Sequence, residues 1–321
     1  MTRRSAVPPP VTAVLDASSR WLPVRLGEVE EQLRELSHGH GELLAADAGA
    51  TLAAGGKRLR PLLVLLCAGA DGGEETVRAA AAIELVHMAT LVHDDVLDDA
   101  PLRRGQPTVA ATSGRDRAVA VGDLLFSRAF GLLAEHGDDR AVALLAEASV
   151  ALAQGELAQR HDAFDLGITE QRYLERCRLK TAKLFECACR LGRDVDALGA
   201  FGAEIGLAFQ LLDDVLDVAG PPERTGKARG TDLLDGTVTL PLIAAAAADP
   251  SIRKADLRAL DPAAAEALCD RIAATSALDQ VRARALKMVA AAKARLDSAG
   301  FDPEQRQLLD LVADGVVQRY A

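Results

Sequence analysis

Apolar residues in this 321-residue chain return every third or fourth position almost from end to end, and that spacing constrains the fold more than any other feature. The stretches LGEVEEQLRELS, VRAAAAIELVHMATLVHDDVLDD, AVALLAEASVALAQGELAQ and LGAFGAEIGLAFQLLDDVLDV each lay such residues along one face of a helix. No stretch keeps the period of two that a half-buried strand needs. Aromatic residues are only 3% of the chain while alanine and leucine dominate, which favours helix over strand on intrinsic propensity. Glycine and proline clusters (Pro101, Gly105 and Pro107, then EHGDD, FDLGIT and GPPERTGKARGTD) divide the chain into roughly ten or more helices with short connections. The expectation is one large all-α domain over 21–321. A flexible leader, 1–20, precedes it, with Pro8, Pro9 and Pro10 blocking an early helix.

A formal net charge of −10 excludes nucleic acid as the main partner, because phosphate backbones need a basic face. Five cysteines, Cys67, Cys177, Cys187, Cys189 and Cys269, form neither a CxxC pair nor a zinc spacing. They read as reduced thiols of a cytoplasmic protein. The N-terminal MTRRSAVPPPVTAV is basic but lacks the apolar run of a signal peptide. The stretches PLLVLLCAGA and TLPLIAAAAA are too short to cross a bilayer. A soluble protein is expected, meeting a membrane surface only transiently and by way of a greasy ligand.

Two aspartate runs break the helical logic. HDDVLDD carries Asp94, Asp95 and Asp98; LLDDVLDV carries Asp213, Asp214 and Asp217. Both read as the C-terminal ends of long apolar helices. Asp94 stacks one turn before Asp98, and Asp213 one turn before Asp217, a like-charge pairing that costs roughly 0.2–0.5 kcal/mol per pair. Aspartate is also a poor helix former and opposes the dipole at a C-terminus. Folding alone gives no reason to accept these costs twice. A hard cation does: magnesium takes oxygen ligands and is held by one or two carboxylates plus substrate phosphates. A merely solvated acidic face fits one such run better than it fits two.

Cations accompany the aspartates. GGKRLRP places Lys57 and Arg60 three apart, Arg103 and Arg104 follow the first acidic run, and Lys180–Thr181 and Lys227 lie further on. Taken singly, each reads equally as a solvated surface charge. His87 lies two turns before Asp94 on the same stripe, where a lone histidine is as readily a packed one.

With GGKRLRP, HDDVLDDAPLRRGQPT, the Lys180–Thr181 pair, FQLLDDVLD and GKARGTDLLDGTVTLP in order, the chain resembles the trans-isoprenyl diphosphate synthases, or polyprenyl synthetases, from about residue 25 onward. The resemblance implies an isoprenoid-synthase type of helical bundle with a central active-site cavity, a homodimer, and about two or three magnesium ions. It implies head-to-tail condensation of isopentenyl diphosphate with an allylic diphosphate such as farnesyl or geranylgeranyl diphosphate. Asp94, Asp98 and Asp213 would bind metal, with Asp95, Asp214 and Asp217 completing two aspartate ridges. Lys57, Arg60, His87 and Arg104 would hold isopentenyl diphosphate. Arg103, Lys180, Thr181, Gln210 and Lys227 would meet the allylic diphosphate or its metal cluster, and Lys180 and Lys227 would act in catalysis beside the aspartates. One departure stands out: many relatives carry lysine at Thr237, and Lys227 and Arg229 are the cations that could cover for it.

The small residues before the first motif, Val86, Ala89 and Thr90, with Ala82 alongside, resemble those of medium- and long-chain members, where no bulky side chain closes the product tunnel. A product of roughly six to ten isoprene units is expected. Equally, these residues could serve only close helix packing. A shorter-chain synthase is the nearest alternative; a non-catalytic subunit of a heteromeric synthase would tend to have lost aspartates that this chain keeps. A class I terpene cyclase would lack GGKRLRP and His87. The glycine-rich 220–236 segment reads either as a lid or as an ordinary loop.

Overall fold

The computed structural model describes residues 9–18, 21–37, 41–53, 55–56, 58–103, 105–220, 228–297 and 300–318. Among these the chain is helical almost throughout, as the apolar spacing predicts, with a single two-residue hairpin. In chain order the helices are α1 (Pro9–Ala17), α2 (Trp21–Ser37), α3 (Glu42–Ala53), α4 (Leu59–Ala68), α5 (Glu74–Leu97), α6 (Val109–Ser113) and α7 (Arg115–Ala134). Then come α8 (Asp139–His161), α9 (Glu170–Cys177), α10 (Lys183–Gly192) and α11 (Asp196–Ala219). The last are α12 (Thr231–Leu234), α13 (Leu240–Ala248), α14 (Pro262–Ala273), α15 (Ala277–Leu296) and α16 (Pro303–Gln318).

The expectation of no early helix is corrected: α1 begins at Pro9. Proline is tolerated in a first helical turn, where its missing N–H has no intrahelical partner to lose. Val14 of α1 is fully buried.

Two compact units emerge. The first comprises Met1–Ser149, Cys187–Gly199 and Gly300–Val312; the second comprises Val150–Glu186, Ala200–Ala299 and Ala313–Ala321.

In the first unit α5 is the axis. Glu74 and Glu75 sit in its first turn, where negative charge complements the helix dipole. From Val77 to Val96 most of its side chains are buried, as expected of a core helix apolar nearly all round. It packs on α2, α4 and α7. The approach to α7 is close at Gly122, where an added Cβ would lie 2.1 Å from His93 Nε2. At the far end of the unit, Gln305 Nε2 of α16 donates to the carbonyls of Leu66 and Cys67, both at 2.8 Å, satisfying the end of α4.

In the second unit α13, short and alanine-rich, packs against α9, α14 and α15. Between α9 and α10 the helix widens into a π turn, Arg178–Ala182. Among the described residues one helix, α8, is long and apolar enough to cross a membrane by length and composition, with 28% of its most apolar window buried. It is longer than either of the apolar stretches singled out in the sequence.

Candidate active site

The first aspartate run ends α5 as expected. Asp98 caps the helix, its N–H donating to the Asp94 carbonyl at 2.8 Å, so the two residues stand one turn apart. Asp99 then turns left-handed (φ 48°), and Gly105 (φ 75°) closes a tight hairpin of β1 (Leu102–Arg103) and β2 (Gln106–Pro107). Thr108 fastens the hairpin's return, donating to the Ala100 carbonyl at 2.7 Å and capping α6 by accepting from Ala111 N. The fold-back brings Arg103 Nε to Asp95 Oδ1 at 2.6 Å. Burial pushes the Asp95 carboxyl up, Arg103 opposes that shift, and Asp98 adds to it.

Depth divides the six aspartates. Asp94 and Asp213 are half-buried and Asp98 is exposed, whereas Asp95, Asp214 and Asp217 are buried. The last three therefore complete their ridges in sequence but turn toward protein partners. Asp94, Asp98 and Asp213 offer hard oxygen donors, and a helix C-terminus adds roughly half a negative charge beside each run. Among the described residues no three or more His, Cys, Asp or Glu side chains gather into a ready-made metal cage.

A cavity of about 470 Å³ lies in the first unit, floored by Met88, Leu91 and Val92 of α5. His87, Arg103 and Gly55 of the GGKRLRP segment line it, so Arg103 falls beside a residue expected at the isopentenyl diphosphate site. Each carboxylate at its wall has an arginine: Asp95 has Arg103, Asp47 has Arg117 Nε at 2.8 Å, and Glu84 has Arg58 Nη1 at 3.0 Å. Arg58 was not singled out in the sequence. It sits left-handed (φ 48°) ahead of α4 and also donates to Glu30 Oε1 at 2.5 Å. Burial works against its charge, but Glu30 and Glu84 raise its pKa further, so it stays a cation. Arg60 is half-buried in the first turn of α4. Lys57, Arg104 and Lys227 lie outside the described residues, as does the 221–227 part of the supposed lid.

In the second unit Asp214 Oδ1 accepts from Gln210 Nε2 at 2.7 Å, and the Tyr173 hydroxyl donates to its other oxygen. Gln210 Oε1 in turn accepts from Thr181 Oγ1 at 2.8 Å, so three expected residues do come together. Burial, reinforced by the Asp232 carboxylate, pushes Asp214 up to about 8. Asp217 Oδ2 accepts from the backbone N–H of Asp232 at 3.1 Å and its carbonyl from Gly230 N at 2.9 Å, which pins 230–232 to the end of α11. Lys180 is ion-paired with Glu156, whose other oxygen takes Arg160 Nε at 2.9 Å; an arriving diphosphate would have to share or replace that partner. Burial pushes the Glu156 carboxyl up, but Lys180 and Arg160 together outweigh it and draw the carboxyl down.

Arg229, expected with Lys227 as a cation that could cover for Thr237, is held at the end of α11. Its Nε donates to the Val218 carbonyl at 2.8 Å and its Nη2 to Asp270 at 3.0 Å. Val86, Ala89 and Ala82 are fully buried in the packed body of α5, and Thr90 donates to the His87 carbonyl at 2.8 Å; none of them lines the 470 Å³ cavity. Tyr173, Glu156 and the buried Arg176, which donates to the Val238 carbonyl at 2.7 Å, escaped the sequence reading. Helical spacing puts Tyr173 and Arg176 on the Lys180 side of the chain but says nothing of their depth, and Glu156 is 24 residues from Lys180.

A family model described as polyprenyl synthetase matches residues 42–274. The chain is 42% identical over 239 residues to heptaprenyl diphosphate synthase component 2 of Geobacillus stearothermophilus, covering 71% of this chain and 75% of that one. It is 35% identical over 312 residues to a short chain isoprenyl diphosphate synthase of Methanothermobacter thermautotrophicus, covering 90% and 95%. The crystal structure of a polyprenyl synthase from Caulobacter crescentus, complexed with calcium and isoprenyl diphosphate, superposes with a TM-score of 0.90 at 36% identity, covering 97% of this chain and 98% of that one.

Proposed function

The chain belongs to the polyprenyl synthetase family, and on that premise we propose that it condenses isopentenyl diphosphate head to tail with an allylic diphosphate, farnesyl or geranylgeranyl, into a medium- or long-chain all-trans polyprenyl diphosphate. It is a prenyltransferase. The division of the six aspartates by depth carries the reading: Asp94, Asp98 and Asp213 keep surface exposed where a metal could reach them, while Asp95, Asp214 and Asp217 are buried.

In this reading Asp94, Asp98 and Asp213 hold about two or three magnesium ions together with the allylic diphosphate. When bound, the ions take up the negative charge that develops on the leaving diphosphate. Lys180 and Lys227 add positive charge there, with Arg103, Thr181 and Gln210 orienting the group. Lys57, Arg60, His87 and Arg104 place the alkene of isopentenyl diphosphate against the allylic carbon. The allylic C–O bond breaks with its electron pair leaving on the diphosphate. The alkene's π pair forms the new C–C bond, and the proton then lost passes to the departing diphosphate. Closing the site against water protects the allylic cation.

The proposal treats 21–321 as one working domain, cytoplasmic, forming a homodimer and touching a membrane surface only to release product. Val150 and Leu157, at 58% and 70% exposed on α8, supply an apolar face suited to a second copy. The word "component" in the name of the Geobacillus relative favours a second reading, a partner of different sequence. The short-chain relative keeps a shorter product as the alternative outcome.

Inorganic diphosphate release tests the chemistry. It should require both substrates and a divalent ion together, and Asp94→Ala or Asp213→Ala should lower it by roughly 10²–10³-fold, as loss of a charge-stabilising group does. Release from the allylic substrate alone would instead indicate cyclase-type ionisation and overturn the reading.

A further inference from the structure

The π turn Arg178–Ala182 carries Lys180 and Thr181 and interrupts what would otherwise be one continuous helix from α9 through α10. Such turns are rare and cluster at functional sites. Two glycines let neighbouring helices rest on its backbone. A Cβ on Gly155 of α8 would lie 2.4 Å from Lys180 N, and one on Gly206 of α11 would lie 2.9 Å from Ala182 Cα. The backbone of the turn is thereby fixed from two sides.

The side chain of Thr181 is fixed by a relay. Its hydroxyl donates to Gln210 Oε1 at 2.8 Å, and Gln210 Nε2 donates to Asp214 Oδ1 at 2.7 Å. The Gln210 amide is thus set with its nitrogen toward Asp214 Oδ1 and its carbonyl oxygen toward the Thr181 hydroxyl. Asp214 is itself held by the Tyr173 hydroxyl on its second oxygen. Tyr173 is 1% exposed, with the Arg176 guanidinium 5.4 Å from its ring centre, so it cannot touch a ligand.

We propose that Tyr173 is a positioning residue for the allylic-diphosphate site, acting through Asp214 and Gln210 to hold Thr181 on the π turn in its ligand-facing orientation. The inference rests on the functional reading above, since that reading makes Thr181 a contact of the allylic diphosphate or its metal cluster. The aromatic ring supplies packing; the hydroxyl alone supplies the positioning.

Binding of farnesyl thiolodiphosphate, an allylic analogue that resists ionisation, tests this with magnesium present and without relying on turnover. Tyr173→Phe should weaken the analogue about tenfold, the loss expected when one buried hydrogen bond to a carboxylate is removed. The KM for isopentenyl diphosphate should not move. Thr181→Val should weaken the analogue similarly, and the double variant should be no weaker than Thr181→Val within about twofold, because both act through one relay. Unchanged binding in Tyr173→Phe, or losses that multiply in the double variant, overturns the inference and leaves the functional reading standing. A wild-type protein that binds no analogue overturns both. Should Tyr173→Phe fail to fold, 3-fluorotyrosine can replace both tyrosines, Tyr173 and Tyr320, with Tyr320→Phe giving the assignment. The fluorine resonance of Tyr173 should shift when magnesium and analogue are added together, and an unmoved resonance in a sample that binds counts against the relay.

Discussion

Arg58 shows how much of this site depends on charges paired within the protein. It is left-handed, largely buried, and bonded to both Glu30 and the buried Glu84. Arg58→Met would leave Glu84 without its guanidinium in the core, at a cost of about 3 kcal/mol. Thermal denaturation should show a marked fall in Tm, and an unchanged Tm would mean that the pair contributes little. Cys177 offers a test by pH. Burial, with the field of Asp214, pushes its thiol up to about 12, so the native side chain keeps its proton where an exposed thiol has lost it. The sign follows: the unfolded chain releases this proton first, so the thiol's contribution to stability is intact near neutrality and is lost as pH climbs toward 12. All five cysteines are free and buried, so a thiol-reactive dye at pH 8 should label few of them until guanidinium unfolds the chain. Prompt labelling of the native protein would contradict the burial. Spacing in the sequence placed Asp94 and Asp98 on one helix edge, and the family resemblance, not spacing, grouped Thr181 with Gln210 as contacts of one ligand. It could not supply depth, which is why Tyr173, Glu156 and Arg58, all set by contacts distant along the chain, were invisible.

At the level of helices, α5 and α11 both end in aspartates, as their apolar runs predict, because a three-and-four spacing that stops at a proline- or glycine-rich stretch marks a helix end. The start of α1 at Pro9 was misread because proline's penalty applies to helix interiors, not to first turns. The π turn was not legible either, since an extra residue in one turn leaves the apolar spacing around it nearly unchanged. Gly155→Ala probes that turn. Alanine gains up to about 1 kcal/mol of helix propensity at a helix interior. Yet its Cβ would meet the Lys180 backbone at 2.4 Å, so α8 or the turn must move. The expected outcome is a loss of allylic turnover that exceeds any loss of Tm; full activity would show that the turn tolerates displacement. On α5, Ala89→Phe asks what the small residues do. Ala89 is fully buried, so a phenyl ring there costs about 1–3 kcal/mol if it only overpacks the helix. The proposal expects it to shorten the product, read by mass spectrometry, and an unchanged length would assign Ala89 to packing alone.

For the molecule as a whole, the family match from 42 to 274 takes in both aspartate runs and segments of both compact units. The all-helical class was legible throughout, because alanine, leucine and the helical spacing agree over the entire chain. What the chain assembles with was not, because exposed apolar residues such as Leu157 mark a face without naming its occupant. Mixing a purified sample with itself at increasing concentration and following its mass by light scattering should reveal a dimer; a persistent monomer would favour the partner of different sequence. The most direct measurement of the central claim is the size of the prenyl products that the purified chain alone makes from farnesyl diphosphate, isopentenyl diphosphate and magnesium. The account predicts an all-trans ladder ending at roughly six to ten isoprene units. A folded sample that elongates no allylic diphosphate would contradict it.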